Sequence, residues 1–299
     1  MKRSRFLTNP IVILAALALL AASCAGGPAQ APDPKKPSPP PVPEKVRKER
    51  IVTVKVPVLV KATSFYADGL VDEYTVYKYD AGLKLLLEKA VYDGSRPDPV
   101  ERMATEIAGG RIKAEQSYDP EGKVKLRREY GLDAAGQVIE ERVLDGKANL
   151  QSSSTYAYDA AGNRTEWKAF DGKAVLKAQT RYTYEKGRLV LIEMSDGQGH
   201  KTGSIVSEYD AAGLLQKTSY KAPDGSLQKF ETSIWASGRL AALELRRADS
   251  SLTAKTVYTY GDLGQVLTAV TTDGAGNMKD KRVFEYSIRE DQKTEVYWE

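Results

Sequence analysis

The stretch LKAQTRYTYEKGRLVLIEMSDG, residues 176–197, decides the fold. Leu176, Ala178, Thr180, Tyr182 and Tyr184 share one parity, and Lys177, Gln179, Arg181 and Thr183 share the other. A period of two sends successive side chains to opposite faces of an extended strand. Glu185-Lys186-Gly187 then breaks the run, with glycine where a two-residue hairpin turn needs a positive φ. The chain returns through Leu189, Val190, Leu191, Ile192 and Met194 and stops at Asp196-Gly197, a second hairpin signal.

Working outward, the same template recurs. Leu252, Ala254, Thr256, Tyr258 and Tyr260 match it position for position, and the rows Leu150, Ser152, Ser154, Tyr156, Tyr158 and Val124, Leu126, Arg128, Tyr130, Leu132 follow it. Turns of the form Tyr-Asp-Ala-Ala-Gly stand at 158–162 and 209–213, with shorter versions at 184–187 and 235–238. The longer form suits a three-residue loop and the shorter a two-residue one, so both serve the same pair of flanking residues. Gly82, Gly110, Gly136, Gly162, Gly187, Gly213, Gly238 and Gly264 mark this series at spacings of 25 to 28. Asp-Gly steps, such as Asp93-Gly94, Asp145-Gly146, Asp171-Gly172 and Asp273-Gly274, mark a second. Tyrosine, threonine and valine enrichment with a turn every 9 to 17 residues leaves no room for helices.

The expected fold is therefore all-β: an antiparallel meander of about nine β-hairpin repeats forming one long twisted sheet, free to curl. Eighteen turns imply about nineteen strands. Ile51 to Val60 is the expected first strand, and Arg282 to Tyr286 with Thr294 to Trp298 the final hairpin, turning at Arg289-Glu290-Asp291. Lys55 and Pro57 at the start, and Glu295 and Glu299 at the end, are suited to protecting two free sheet edges. The returning strands are apolar on both parities, which implies that part of the back of the sheet is also covered.

The N-terminus is a different material. Lys2, Arg3 and Arg5 precede the apolar run Ile11 to Leu20, and Ala21-Ala22-Ser23 leads to Cys24, the only cysteine. This is a secretory signal, too short for a spanning helix. Ordinary cleavage after small residues would leave Cys24 incidental. Residues 25–50 hold eight prolines and read as a semi-rigid spacer. The organisation is thus a signal segment over 1–23, Cys24 and a proline-rich tether over 24–50, and a β-repeat domain over 51–299. The first 50 residues carry 9 basic and 3 acidic groups of the chain's 44 and 40, leaving 35 basic and 37 acidic in the repeats. A domain without net positive charge gives no reason to expect a nucleic-acid partner.

Ala-Ala-Ser-Cys at 21–24 resembles the lipobox of bacterial lipoproteins, although Ala21 stands where leucine is usual. That resemblance implies diacylation of Cys24, palmitate among the acyl groups, and a place in the cell envelope, on the outer membrane facing either the periplasm or the outside. The Tyr-Asp-x-x-Gly-x-Leu/Val step with a downstream Asp-Gly resembles the YD or RHS repeat of bacterial surface and toxin-delivery proteins and teneurins, over roughly residues 70–286. It implies a spiralling β-sheet shell, sometimes around a toxin domain, and carbohydrate binding in some members. With eight or nine units, no closed shell and no encapsulated domain are expected here.

Catalytic and metal-binding constellations are not evident. His200, the single histidine, lies in Gly197-Gln198-Gly199-His200, so no catalytic residue, metal or cofactor is nominated. The loop aspartates occur one per unit, as turn-capping residues do. Tyr156, Tyr158, Tyr182, Tyr184, Trp235, Tyr258 and Tyr260 are the candidate ligand-binding aromatic face; cross-strand pairing is their ordinary role. The expected function is a non-enzymatic, membrane-anchored envelope lipoprotein presenting a β-repeat surface to a glycan or protein ligand, or acting as scaffold. The rival is a glycan-processing enzyme with an unrecognised carboxylate site. It would show itself as a unit whose template is broken by clustered Asp, Glu or Arg. An integral outer-membrane barrel would need continuously apolar outward faces, against which Lys177, Arg181, Lys255, Lys281 and Arg282 count.

Overall fold

The computed structural model describes residues 46–298; the signal segment, Cys24 and the tether up to residue 45 lie outside the described residues. Glu49–Val296 forms the compact unit. The strands are β1 Arg47–Tyr66, β2 Val71–Tyr79, β3 Leu86–Asp93, β4 Glu101–Ala108, β5 Arg111–Tyr118, β6 Val124–Leu132, β7 Val138–Asp145, β8 Leu150–Tyr158, β9 Arg164–Asp171, β10 Leu176–Glu185, β11 Arg188–Asp196, β12 Lys201–Tyr209, β13 Leu215–Lys221, β14 Leu227–Ala236, β15 Arg239–Arg247, β16 Leu252–Tyr260, β17 Val266–Asp273 and β18 Met278–Trp298. Among the described residues there is no helix.

Each strand from β2 to β17 pairs with its chain neighbours, and β1 pairs with both β2 and β18. The meander therefore closes on itself as an 18-stranded β-barrel. Arg50 meets Glu295 at 2.9 Å, Lys61 meets Glu285 at 3.2 Å, and Lys281 lies over the Phe65 ring. Partner numbers fall as β1 advances, so this seam is antiparallel too. The open sheet expected from the sequence is replaced by a ring, and nineteen strands by eighteen. The expected turn at Arg289-Glu290-Asp291 is uninterrupted β18, 21 residues long, lying against the 20-residue β1. The three charged residues read as a turn, yet the Arg289 and Asp291 side chains meet two residues apart along one strand. β1 begins at Arg47, inside the stretch given to the tether.

The longer turns of the first series and the Asp-Gly turns prove to share one three-residue loop. Asp159 N donates to Asn163 O and Gly162 N to Asp159 O. Asp145 N donates to Asn149 O and Ala148 N to Asp145 O in the same pattern. In both, the Asp Oδ1 takes two further backbone amides, and the third loop residue is left-handed: Gly162 at φ 83 and Ala148 at φ 63. The glycine of most Asp-Gly steps thus serves close approach, not a positive φ. A Cβ on Gly197 would lie 2.0 Å from the Leu176 carbonyl oxygen. The short turns at Lys186-Gly187 and Ser237-Gly238 have positive φ at both residues, as a primed two-residue turn requires.

Nearly every hairpin carries a bulge one step from its turn. Thr183 pairs with Leu191 but Tyr184 with Leu189, leaving Val190 as the extra residue. The bulge flips parity, so Leu189, Ile192 and Met194 all join the face of Tyr182 and Tyr184. This accounts for Leu189 joining Ile192 and Met194 on one face despite their different parities, while Leu191 pairs with Thr183 and Val206 on the other. Buried apolar side chains among the described residues are few (Val58, Ala90, Ala114, Leu144, Ala242 and Ala269), and no large side chain is fully buried. The ladder and half-buried pairs across strands, not a closed core, hold the ring together.

Candidate binding face

Side chains directly opposite across a ladder share a face, so the register carries face identity around the ring. Tyr156 pairs with Trp167, Trp167 with Thr180, and Thr180 with Met194. Tyr182 pairs with Ile192, Ile192 with Ile205 and Ile205 with Tyr220. Continuing through Ser233, Leu243 and Thr256 places Tyr156, Tyr158, Tyr182, Tyr184, Trp235, Tyr258 and Tyr260 on one face.

These seven residues divide by depth. Those next to the turn are tied to backbone. Tyr158 donates to Val138 O at 2.8 Å, Tyr184 to Arg164 O at 3.2 Å, Trp235 Nε1 to Leu215 O at 2.8 Å and Tyr260 to Leu240 O at 2.7 Å. Tyr209 and Tyr286 do the same to Leu189 O and Val266 O. Each acceptor lies 20 residues back, in the preceding hairpin, so this belt stitches successive units together. The residues two positions further in, Tyr156, Tyr182 and Tyr258, are not tied in this way. Tyr156 donates to Glu141 at 3.1 Å, and the Arg164 guanidinium lies 4.5 Å from the Tyr182 ring centroid.

One sector of this face departs from the template. The row Thr105–Glu115–Arg128–Val143 crosses β4 to β7, and Tyr130 pairs with Glu141 beside it. Arg128 lies 2.8 Å from Glu141 and 3.7 Å from Glu115, while Tyr130 donates to Glu115 at 2.7 Å. The carboxylates are largely covered and Arg128 is half-open. Burial, then the charge of Glu141, pushes the Tyr156 hydroxyl up to about 12; burial and the bond to Glu115 raise Tyr130. Both phenols therefore remain protonated donors at neutral pH. Arg128 Nε is close enough to Glu141 for an ion pair but makes no directed hydrogen bond, and Thr105 Oγ1 has no hydrogen-bond partner. Two members of one row, on either side of Glu115, thus retain unused polar capacity, where buried polar atoms are ordinarily paired. The sequence shows only one part of this departure, Arg128 in the place held by Thr180 and Thr256 in other units; its glutamate partners are brought beside it by the register.

The opposite face is a belt of ion pairs. Lys78–Glu88–Arg102 and Glu106–Arg127–Glu129–Arg142 run across successive strands, and Lys255 meets Glu244 at 3.1 Å. His200 sits on an exposed loop with Nδ1 3.1 Å from Asp196. Among the described residues no three His, Cys, Asp or Glu side chains converge as a metal site would need.

No protein-family model matches the chain, the YD repeat's included, and no curated protein matches it. Solved structures do. A porin-like protein from Bacteroides uniformis is similar over 77% of this chain and 97% of its own, at 13% identity and a TM-score of 0.43. A TcdB2-TccC3 structure without its hypervariable C-terminal region is similar over 73% of this chain and 15% of its own, at 14% identity and a TM-score of 0.28. A porin-like protein from Bacteroides vulgatus is similar over 77% of this chain and 98% of its own, at 11% identity and a TM-score of 0.30. At these scores the likenesses assign neither function nor location, and the closed meander rests on the strand pairings above.

Proposed function

We propose that the chain is a non-enzymatic cell-envelope lipoprotein, anchored through Cys24, whose β-ring offers the Glu115–Arg128–Glu141 sector with Tyr130, Tyr156 and Trp167 to a glycan or protein ligand. The observation that carries this reading is charge on both faces of the sheet. A bilayer-spanning barrel needs an apolar outer band about 25 Å tall, and a basic residue at its midplane costs about 2–4 kcal/mol. One face carries Lys78, Arg102, Arg127, Arg142 and Lys255; the other carries Lys89, Glu115, Arg128, Glu141, Glu231 and Arg282. Such a ring belongs in water, held to a membrane from outside itself. Aromatic surfaces beside a clamped guanidinium and two carboxylates supply both stacking area and directional hydrogen bonds. Fractionation tests the anchor: wild-type protein should incorporate labelled palmitate and pellet with membranes, and Cys24→Ala should do neither. A Cys24→Ala protein that stays in membranes through carbonate extraction would point instead to an integral barrel.

The enzymatic alternative is favoured by one observation: Glu115 and Glu141 stand where the template is broken. Reducing-end release from envelope polysaccharides separates the readings. An enzyme loses turnover on Glu115→Gln or Glu141→Gln, whereas a binding protein shows no release and loses only retention on the polysaccharide.

A further inference from the structure

Six non-glycine residues among those described have positive φ, and five of them are Ala148, Ala174, Lys186, Ser237 and Ser250. The sixth is Leu83, at φ 52, the one branched apolar side chain in this conformation. Left-handed backbone crowds Cβ against the next carbonyl, so a bulky residue stays there only when its surroundings hold it. The β2–β3 loop explains why it falls on leucine. Asp80 N donates to Leu85 O and Leu83 N to Asp80 O, a loop one residue longer than the three-residue form. Gly82 therefore comes one position too early to take the left-handed place.

What holds Leu83 comes from the other end of the chain. Arg289 Nη1 on β18 donates to Leu83 O at 2.8 Å, across 206 residues. Asp291 fixes that guanidinium by taking Nε at 2.9 Å and Nη2 at 2.8 Å. In the ring, β1 lies between β18 and β2, so Arg289 reaches over β1 to the loop beyond it. Asp80 and Lys84 are the other charged groups at this loop; Asp80 Oδ1 is occupied by the Lys84 and Leu85 amides.

We infer that Arg289, oriented by Asp291, is a latch that couples closure of the ring to the left-handed state of Leu83. Docking of β18 beside β1 brings the guanidinium to a carbonyl that faces it only when Leu83 is left-handed. The loop and the seam are thus one two-state element, closed together or released together. This inference is independent of the binding reading and survives its failure.

Hydrogen exchange on the full chain carrying Cys24→Ala tests it. Arg289→Ala should speed exchange about tenfold or more, the scale of losing a charge-assisted hydrogen bond, at Leu83–Leu85 and also at Lys61–Phe65 of β1. The β10–β11 amides should not change. Glycine tolerates positive φ, so in a Leu83→Gly background the same substitution should have a clearly smaller effect at the seam. Should Arg289→Ala fail to fold, Asp291→Asn keeps the guanidinium and removes its orientation, and the same coupling is read from it. Exchange at Lys61–Phe65 unchanged within twofold, or an effect identical with leucine and glycine at 83, would overturn the latch.

Discussion

The arc from β7 to β17 and the seam where β18, β1 and β2 meet use the same antiparallel ladder but are secured over different distances in the chain. In the arc, each unit is tied to the one before it by a tyrosine or tryptophan reaching a carbonyl 20 residues back. At the seam the ties span 206 residues from Arg289 to Leu83 and 245 from Arg50 to Glu295. Short-range ties form as each hairpin is added and repeat because the unit repeats. Seam ties occur once and form only after the whole meander exists, when the entropy of closing a long loop must be offset. The seam should accordingly be the first part of the ring to open.

Several substitutions can break or sharpen that contrast. The largest effect is expected within the arc at Gly197→Ala, because the new methyl would meet the Leu176 carbonyl oxygen and backbone cannot step aside; a loss of at least about 3 kcal/mol in urea unfolding is expected. Its seam counterpart, Gly69→Ala, faces open space and should cost only the left-handed conformation, about 1–2 kcal/mol. Next come the stitches. Tyr260→Phe should lower stability by about 1 kcal/mol, and Tyr158→Phe combined with it should be additive, since the two sites share no partner. Equal loss from Tyr286→Phe, whose hydroxyl ties β18 to Val266 O, would show the belt continuing up to the seam.

Acid should act on the loops of the arc. Bonds from Lys177 and from the backbone amides of Val175 and Lys173 hold the Asp171 carboxyl down to about 2. A depressed carboxylate stabilises the fold fully above its unfolded value, near 3.9, and that contribution is lost as pH falls toward 2. Asp171→Asn should flatten stability against pH across that window, and an unchanged profile would remove Asp171 from the account. The smallest effect belongs to the exposed ion-pair face. Lys255→Gln, which removes one partner of Glu244, should shift stability by no more than about 1 kcal/mol and less in high salt.

What was legible in the sequence follows the same division. Strands, turn positions and the common face of the seven aromatic residues are local, and alternation with punctuation at Gly and Asp spells them out. The Asp-Gly turn was placed but its geometry was not: the dipeptide suggested a positive φ at glycine, whereas in the three-residue loop that position passes to Ala148 or Ala174. A two-residue shift of the aspartate within the loop, from Asp196 to Asp224, explains the irregular spacing of 28 in that series. Closure was not legible. Nothing near Arg289-Glu290-Asp291 signals that Arg289 has a partner at Leu83, so three charged residues looked like a turn and the chain like an open sheet. The Glu115–Arg128–Glu141 sector was hidden for a related reason. Arg128 sits in the right parity of a repeating row, and only the register brings two glutamates from neighbouring strands beside it.

The central claim is that the meander closes through β1 and β18. Cysteine pairs test this directly in the Cys24→Ala chain: Lys61→Cys with Glu285→Cys across the seam, and Arg181→Cys with Glu193→Cys, directly opposed within the arc, as control. Both pairs should form intramolecular disulfides under mild oxidation: Arg181 and Glu193 are directly opposed, within the Cα separation a disulfide spans, and Lys61 and Glu285 already meet side chain to side chain on the paired strands β1 and β18. A disulfide in the arc with none at the seam would contradict the closed ring.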